Sequence, residues 1–293
     1  MNARFGEKVD TIPDMDHLQF TQWAQLLEER TGMSLPVERR SFLVTNLRMR
    51  MRDVGFNSFQ KYYDFIQEVS AASAVEWEHL VDKLTVHETR FYRHAHSIDY
   101  ITEQFLPEKI GLNHASKIHV WSVGCSTGEE AYTLAMVLNH YFQRRGTKAS
   151  WAVTGTDISL PSLNEARKGI YHRRKLAELD EKLIRQYFSE VDENRVQVKD
   201  ELRQRVCFAQ LNVNQIQQSP LRDMDVVFCQ NLLIYFDKQH RDQIVLGMVD
   251  RVADGGLIVL GPGEMLGWTH PQLEKITHPN VLAYRKKGSR VSV

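Results

Sequence analysis

The sequence predicts an α/β protein in which an all-helical N-terminal part precedes a doubly wound, mostly parallel sheet. In the first part, apolar residues such as Phe59, Tyr62 and Ile66 recur at helical spacing. Beyond about residue 116, short apolar runs alternate with amphipathic segments, which is typical of parallel strands connected by helices. A charged stretch over about 171–205 interrupts this alternation and indicates a small inserted β-subdomain.

The chain divides into four predicted segments. We expect a flexible tail over 1–15, a helical domain over 16–85, a linker over 86–115 that contributes to the functional site, and the sheet domain over 116–293. The predicted strands are 118–123, 151–156, 206–211, 225–229, 257–260 and 281–284, and 195–199 could add a short strand in the inserted subdomain.

Composition and charge exclude several classes of protein. The 293 residues carry 37 basic and 37 acidic side chains, a balance that argues against a general nucleic-acid binder. No apolar run approaches the roughly 18 residues of a membrane span, and no secretory signal is visible, so we expect a cytoplasmic protein without direct membrane insertion. Three widely spaced cysteines and the lack of an HExxH motif predict neither a disulfide framework nor a metal site.

A glycine turn between the first predicted strand and its helix is the first candidate binding element. Gly124 and Gly128 let the backbone approach a ligand at the carboxyl end of the strand, although the spacing matches neither the dinucleotide nor the Walker motif. Glu129 and Glu130 open the helix and would repel a phosphate. The turn therefore favours a ligand with a positive charge, such as S-adenosylmethionine; the alternative is an ordinary glycine turn whose acids complement the helix dipole.

The second candidate is Asp157, which closes the second predicted strand. A carboxylate at this point of a nucleotide-binding sheet can accept hydrogen bonds from both ribose hydroxyls. The alternative is a helix N-cap, because Asp157 or Ser159 could start the next helix.

The third candidate is the run CQNLLIYF over 229–236. Gln230 and Asn231 follow an apolar strand where a sheet would present polar groups to a ligand, and Tyr235 could present its phenol to the same crevice. The alternative is a plain strand exit in which Tyr235 only packs.

The fourth candidate is the run LTVHETRFYRH over 84–94, in which hydrogen-bonding side chains surround two aromatic residues. Arg93 is suited to bind a carboxylate. The alternative is a polar interdomain linker whose aromatic side chains dock on the sheet.

Together these segments closely resemble the CheR family of bacterial chemotaxis-receptor glutamate methyltransferases, along nearly the whole chain. The matching landmarks are TxxxTxFxR (Thr85 to Arg93), WSxGCSTGEE (Trp121 to Glu130), GTDIS, RKGIY, QLNV (Gln210 to Val213) and NLLIYFDK. The resemblance implies a helical N-terminal domain, an S-adenosylmethionine-binding sheet with a small inserted β-subdomain, and transfer of a methyl group to receptor glutamates. It also implies a set of cofactor contacts at His87, Thr89, Arg93, Glu130, Asp157, Asn212, Val213, Gln230 and Asn231.

The sequence departs from the family pattern at a few positions. His87 stands where members usually have Asn, Gln230 where Arg is common, and GPGE (Gly261 to Glu264) where GHSE is usual. The inserted subdomain also looks shorter than in members that bind a receptor's C-terminal peptide, so the chain is more similar to the peptide-independent members.

The implied reaction needs placement more than base catalysis. A glutamate with an ordinary pKa of ~4.3 is over ~99% ionised at neutral pH, so its carboxylate is already the nucleophile. The site must hold it in line with the methyl group and exclude water. We expect Arg93 and Tyr235 to orient the substrate carboxylate.

An arginine-rich stretch in the helical part is the candidate partner-binding surface. Its members are Arg39, Arg40, Arg48, Arg50 and Arg52, with no acidic residue among them. Arg48 and Arg52 are four residues apart and share one helical face. The resemblance implies docking on the acidic cytoplasmic helical domain of a transmembrane chemoreceptor, whereas the alternative is a solvated basic face.

Two other functions remain open from the sequence. One is a methyltransferase that acts on a small molecule or a nucleic acid. The other is a regulatory scaffold that binds S-adenosylmethionine without transferring its methyl group, which the three departures make conceivable.

Overall fold

The structure, a computed structural model, describes residues 13–113, 117–146 and 150–288. The chain separates into an N-terminal unit that ends at Val86 and a second unit that begins at His87. Of the predicted flexible tail, residues 1–12 lie outside the described residues, while Met15 is buried. Within the described ranges, no helix combines the length and the apolar character needed to cross a membrane.

Helices form the described part of the N-terminal unit, as the periodicity predicts. They are α1 (His17–Thr31), α2 (Arg40–Val54), α3 (Phe59–Gln67) and α4 (Ala71–Leu84), with a short 3-10 turn at Val37–Arg39 before α2. The start of α1 is fixed by a capping box, in which Asp16 and Gln19 each accept a hydrogen bond from the other's backbone N–H.

The helical unit also buries an ion pair. Arg50 on α2 donates from Nε and Nη2 to the two carboxylate oxygens of Glu76 on α4, at 3.0 and 2.5 Å. The hydroxyl of Tyr62 donates to the same carboxylate at 2.6 Å. The side chains of Arg50 and Glu76 are only 13% and 6% exposed, so this pair belongs to the packing of the unit.

Ten strands form the framework of the second unit within the residues that the structure describes. They are β1 (Lys117–Val123), β2 (Ser150–Asp157), β3 (Ile170–His172), β4 (Phe188–Glu190), β5 (Arg195–Val198), β6 (Val206–Gln210), β7 (Met224–Cys229), β8 (Val252–Leu260), β9 (Leu273–Lys275) and β10 (Leu282–Lys286). Its α-helices are α5 (Ala95–Tyr100), α6 (Leu106–Asn113), α7 (Glu129–Arg145), α8 (Leu160–Lys168), α9 (Glu181–Tyr187), α10 (Asp200–Arg203) and α11 (Lys238–Val249).

Seven of these strands form one sheet in the order β6-β2-β1-β7-β8-β10-β9. The first five strands are parallel, and β10 and β9 are antiparallel additions. From β1 the chain first builds outward through β2 to β6 and then returns to place β7 on the other side of β1. Such a reversal of strand order opens a crevice at the carboxyl ends of the strands. The predicted doubly wound sheet is confirmed.

The inserted subdomain is a three-stranded antiparallel sheet in the order β3-β5-β4. Only β5 has a counterpart among the predicted strands. The strands β3, β4 and β9 were missed because each has three residues, which is too few for an alternating pattern to be recognised.

The segment predicted as a linker over 86–115 differs in the structure. Its described part contains α5 and α6, joined by a π-helical turn at Ile101–Phe105. Phe91, Ile101 and Phe105 are at most 2% exposed and belong to the same hydrophobic core as β1. The segment is therefore an integral part of the second unit.

Candidate active site

The turn between β1 and α7 is tied to the end of β2. The N–H groups of Gly124 and Cys125 both donate to the carbonyl of Thr156, at 2.8 and 2.9 Å. Gly124 and Gly128 have φ of 75° and 94°, which favours glycine. At Gly128 an added Cβ would also lie 2.8 Å from the Cβ of Ala166, so the turn lets α8 pack closely beneath the site.

Asp157 bridges this turn and the start of α8. One of its carboxylate oxygens accepts the N–H of Ser126 at 2.8 Å, and the other accepts the N–H of Ser159 at 2.9 Å. The N-cap of α8 is Ser159, whose hydroxyl accepts from Ser162, so Asp157 does not serve as the helix cap. Burial raises the pKa of Asp157, and the backbone N–H groups partly oppose that rise.

The two adjacent glutamates that open α7 have different surroundings. Glu129 is fully buried and pairs with Lys175 of the inserted subdomain and with the hydroxyl of Thr127. Glu130 accepts a hydrogen bond of 2.6 Å from Ser122 on β1. Burial raises the pKa of Glu130 to about 8. Of the two, Glu130 is therefore the one suited to interact with a positively charged ligand.

Two side chains of the inserted subdomain also bind the end of the turn between β1 and α7. Tyr171 on β3 donates from its hydroxyl to the carbonyl of Thr127 at 2.7 Å, next to the pair between Lys175 and Glu129. The sequence analysis used Tyr171 only as a landmark of the RKGIY motif and missed Lys175. Their role could not be seen in the sequence because it depends on a contact between segments about 45 residues apart.

The loop after β7 is held by the segment that precedes and begins α5. Gln230 is 5% exposed and donates from Nε2 to the hydroxyl of Ser97 at 2.9 Å. Asn231 accepts at Oδ1 from Nε2 of His94 at 2.6 Å. Burial lowers the pKa of His94, which favours a neutral imidazole that donates this hydrogen bond. The sequence analysis missed both His94 and Ser97.

Residues 87–93 lie at the start of the second unit. The fully buried ring of Phe91 packs edge-on against Tyr171 and Phe188 of the inserted sheet. Phe91 thus packs on the inserted sheet, within a segment that is part of the second unit. Arg93 donates to the carbonyl of Glu88 at 2.6 Å.

One of the remaining candidates has a polar contact in this part of the unit. Nδ1 of His87 lies 3.1 Å from the hydroxyl of Ser162 on α8, and Thr89 is half-buried. The positive charge of Arg93 lowers the pKa of Glu130, which indicates that these two candidates are neighbours.

The loop after β6 comes next to Asp157. The N–H of Leu211 donates to the carbonyl of Asp157 at 2.9 Å, and Asn212 begins the following 3-10 turn by accepting the N–H of Asn214 at 3.0 Å. Val213 is buried. Across the sheet, Tyr235 is half-buried at the end of another short 3-10 turn, Leu233–Tyr235.

The five predicted partner-binding arginines differ in their surroundings within the helical unit. Arg50 forms a largely buried pair with Glu76, which was not predicted from the sequence. Arg48 pairs with Asp14 at 2.6 Å. Arg52 is exposed near the end of α2. The other two are Arg39, which lies over the ring of Phe42, and Arg40, which donates to the carbonyl of Met15.

The carboxyl ends of β1, β2, β6 and β7 thus bring most of the predicted second-unit residues to one edge of the sheet. Backbone N–H groups or hydroxyls contact the carboxylates of Asp157 and Glu130 there. A carboxylate at the end of β2 suits ribose hydroxyls, and a half-buried carboxylate beside the glycine turn suits a cation. These residues fit a nucleoside that carries a positive charge, as S-adenosylmethionine does.

Comparisons with known proteins give matches over most of the chain. A family described as "CheR methyltransferase, SAM binding domain" matches residues 87–282, and "CheR methyltransferase, all-alpha domain" matches residues 18–85. The chain is 30% identical to a chemotaxis protein methyltransferase of Escherichia coli over 249 residues, which are 84% of this chain and 83% of that protein. It is 28% identical to a chemotaxis protein methyltransferase of Borreliella burgdorferi over 251 residues, which are 85% and 88% of the two chains.

Proposed function

Because the chain belongs to the CheR methyltransferase family, we propose that it methylates glutamate side chains of a bacterial chemoreceptor, using S-adenosylmethionine. Dependence on this cofactor and a place in chemotaxis follow from the family. The finer proposal is that the substrate glutamates lie on the cytoplasmic helical domain of a transmembrane receptor, that the reaction takes place in the cytoplasm, and that the resulting methyl esters tune sensory adaptation. The observation that best supports the use of this cofactor is the placement of Asp157 and Glu130 at one edge of the sheet.

The cofactor supplies a methyl group on a sulfonium, and we propose specific residues to hold it. Asp157 accepts the ribose hydroxyls, because a carboxylate between two backbone N–H donors is already fixed in orientation. Glu130 interacts with the positively charged part of the ligand. The remaining proposed contacts are His87, Thr89, Arg93, Gly124, Asn212, Val213, Gln230 and Asn231.

The substrate carboxylate needs orientation, and Arg93 and Tyr235 are the proposed catalytic residues. A guanidinium has five N–H donors, so the contact of Arg93 with the carbonyl of Glu88 is compatible with a second contact to the substrate. Tyr235 offers a phenolic donor from the loop after β7. Since the nucleophile is ionised at neutral pH, these residues act by holding one carboxylate oxygen in line with the methyl group.

The proposed docking surface on the receptor is the basic part of α2. Arg40 and Arg52 are its exposed members, and Arg39 and Arg48 add positive charge on the same helix and the turn before it. Because the pair between Arg50 and Glu76 is largely buried, we exclude Arg50 from the docking surface. The proposal of a peptide-independent enzyme, which recognises the receptor bundle and not its C-terminal peptide, rests on the short inserted subdomain.

The proposal is tested by incubating the protein with cofactor labelled in the methyl group and a panel of receptor cytoplasmic domains. We expect label in a receptor that alkali releases as methanol, the signature of a methyl ester. Arg93→Ala and Tyr235→Phe should fold normally and lower the rate by about tenfold or more, as the loss of one charge-assisted or buried hydrogen bond does.

Three other outcomes would contradict parts of the proposal. Cofactor binding without transfer to any receptor would support a regulatory scaffold, and transfer to a small molecule or a nucleic acid would support a different substrate. Wild-type rates in both variants would refute the roles of Arg93 and Tyr235 while leaving the family assignment intact.

A further inference from the structure

The turn after β8 places a buried carboxylate against the loop that follows β7. Glu264 is 5% exposed. Its Oε2 accepts the N–H of Gly261 at 2.7 Å, and its Oε1 accepts the N–H of Leu233 at 3.0 Å. Burial raises the pKa of Glu264, and the backbone N–H groups of Gly261, Leu233, Ile234 and Asn231 oppose that rise. The N–H groups of the loop therefore face a single side chain from the turn after another strand.

The loop has the backbone conformation that favours such a contact. Asn231 is left-handed with φ of 59°, and Leu232 follows in the right-handed region with φ of −104°. Alternation of this kind turns successive N–H groups toward one side and forms a concavity that binds anions. At Gly261, an added Cβ would lie 2.3 Å from Oε2 of Glu264, so the close approach of the carboxylate requires a glycine there.

The loop that Glu264 holds carries proposed functional side chains at both of its ends. Asn231 is a proposed cofactor contact and Tyr235 a proposed substrate contact, while the N–H groups of Leu233 and Ile234 lie between them. Fixing these N–H groups fixes the path of the backbone from Asn231 to Tyr235. The sequence analysis noted GPGE only as a departure from GHSE, yet the two positions that build this contact, Gly261 and Glu264, are the ones that the two motifs share.

We propose that Glu264 is a positioning residue for methyl transfer, whose carboxylate holds the loop from Asn231 to Tyr235 in its active conformation. This inference rests on the proposed function through the roles given to those two residues. A glutamine cannot replace Glu264, because its NH2 group would face one of the N–H donors and leave that donor unpaired. An aspartate is one methylene shorter and cannot reach the donors on both sides.

The test compares Glu264→Gln with a matched control at the opposite end of β7. Asp225 is also a buried carboxylate, and it accepts from Lys109 and from the N–H of His119 at 2.8 and 2.9 Å. The control variant Asp225→Asn should lower stability without touching the loop. In Glu264→Gln, we expect kcat to fall and amide exchange in the loop to rise, each by about tenfold or more, the usual consequence of an unpaired buried donor.

A double variant separates positioning from general destabilisation. Because Glu264 acts through Tyr235, adding Tyr235→Phe to Glu264→Gln should lower kcat much less than Tyr235→Phe does in the wild type. Full additivity, or an equal loss of kcat in Asp225→Asn, would overturn the proposal. If the wild type methylates no receptor, the proposed function fails independently of this inference. The role of Glu264 is then tested by amide exchange of the loop, measured with and without cofactor. Unchanged exchange in Glu264→Gln overturns the inference.

Discussion

Glu76 in the helical unit and Glu264 in the sheet unit are both buried, and these two glutamates are stabilised in different ways. In the helical unit, Glu76 meets the guanidinium of Arg50 and the hydroxyl of Tyr62. In the sheet unit, Glu264 meets the N–H groups of two loops. An ion pair neutralises the charge of a buried carboxylate, whereas dipoles hold the carboxylate in place and leave its negative charge in the site.

The difference indicates which buried carboxylates can attract a positively charged ligand. The pair between Arg50 and Glu76 specifies how α2 packs on α4. Because its two charges neutralise each other, it exerts little electrostatic attraction on a partner. At the edge of the sheet, hydroxyl and N–H groups hold Glu130 and Glu264, and the charge of Glu264 raises the pKa of Glu130. Such a site gains stability when a cation binds, which suits a sulfonium cofactor.

The largest expected effect is on the helical unit. Glu76→Ala leaves Arg50 buried and unpaired, so we expect a loss of about 3–5 kcal/mol in the free energy of unfolding of this unit. The matched control is Asp53→Ala, which removes the exposed partner of the same arginine and should cost less than about 1 kcal/mol. Hydrogen exchange of peptides from α2 and α4 measures both losses.

That prediction also probes the comparison between the units. Affinity for the cofactor, measured by calorimetry at a temperature at which the variant stays folded, should be unchanged in Glu76→Ala. Equal destabilisation by Glu76→Ala and Asp53→Ala would mean that the buried pair contributes no more than a surface pair.

The next effect is on the sheet unit. Asp157→Ala removes the proposed acceptor of the ribose hydroxyls and should weaken cofactor binding by about ten- to a hundred-fold, from the loss of roughly 1.5–3 kcal/mol. The control Asp200→Ala removes an exposed carboxylate that pairs with Arg203 and should leave the affinity unchanged.

Because Asp157 also holds the N–H of Ser126, a second ligand is needed to isolate the ribose contact. An analogue that lacks the 2′-hydroxyl should lose affinity for the wild type and lose little more for Asp157→Ala. If the loss is the same for both proteins, Asp157 acts through the turn and not through the ribose.

The sequence predicts the longer elements of this molecule better than the short ones. The strands β1, β2, β6 and β7 were predicted within one residue at each end, because apolar residues adjoin or alternate with polar ones over a short run in each. The helical character of 95–113 was missed, since short helices and a π-helical turn give little periodic signal.

The candidate site was predictable where a motif ends a strand and unpredictable where a distant residue supports the motif. Asp157 and Asn231 follow apolar runs, so their place at the edge of the sheet could be deduced. Lys175, His94 and Glu264 lie outside those runs, and each reaches the site only through the tertiary fold. The burial of Arg50 was equally hidden, because its partner is 26 residues away on another helix.

A smaller effect should appear in the pH dependence of cofactor binding. Burial and the charge of Glu264 raise the pKa of Glu130 from 4.5 to about 8, while Ser122 and Arg93 oppose the rise. Below pH 8 the free protein therefore holds a proton that a cationic ligand displaces, and affinity should increase up to about tenfold per pH unit between pH 6 and 8. Glu130→Gln should remove this dependence.

The same shift has a defined sign for folding. The neutral form is favoured in the folded protein, so the stability that Glu130 contributes is complete below pH 4.5 and is lost as the pH rises through about 8.

The proton that Glu130 releases when the cofactor binds can be measured directly. Calorimetry at pH 7 in two buffers with different ionisation enthalpies measures this proton release. Identical binding enthalpies in both buffers would contradict the coupling.

The smallest effect concerns two arginines that lie two residues apart on α2. Arg50 faces Glu76, and Arg52 is exposed, so of these two only Arg52 is placed to meet an acidic receptor. Arg52→Glu should raise the KM for the receptor about two- to fivefold at low salt, leave cofactor affinity unchanged, and lose its effect as salt is added. The control Arg185→Glu reverses an arginine that is 82% exposed in the other unit and should not change KM. An unchanged KM in Arg52→Glu would mean that Arg52 is solvated surface and does not contact the receptor.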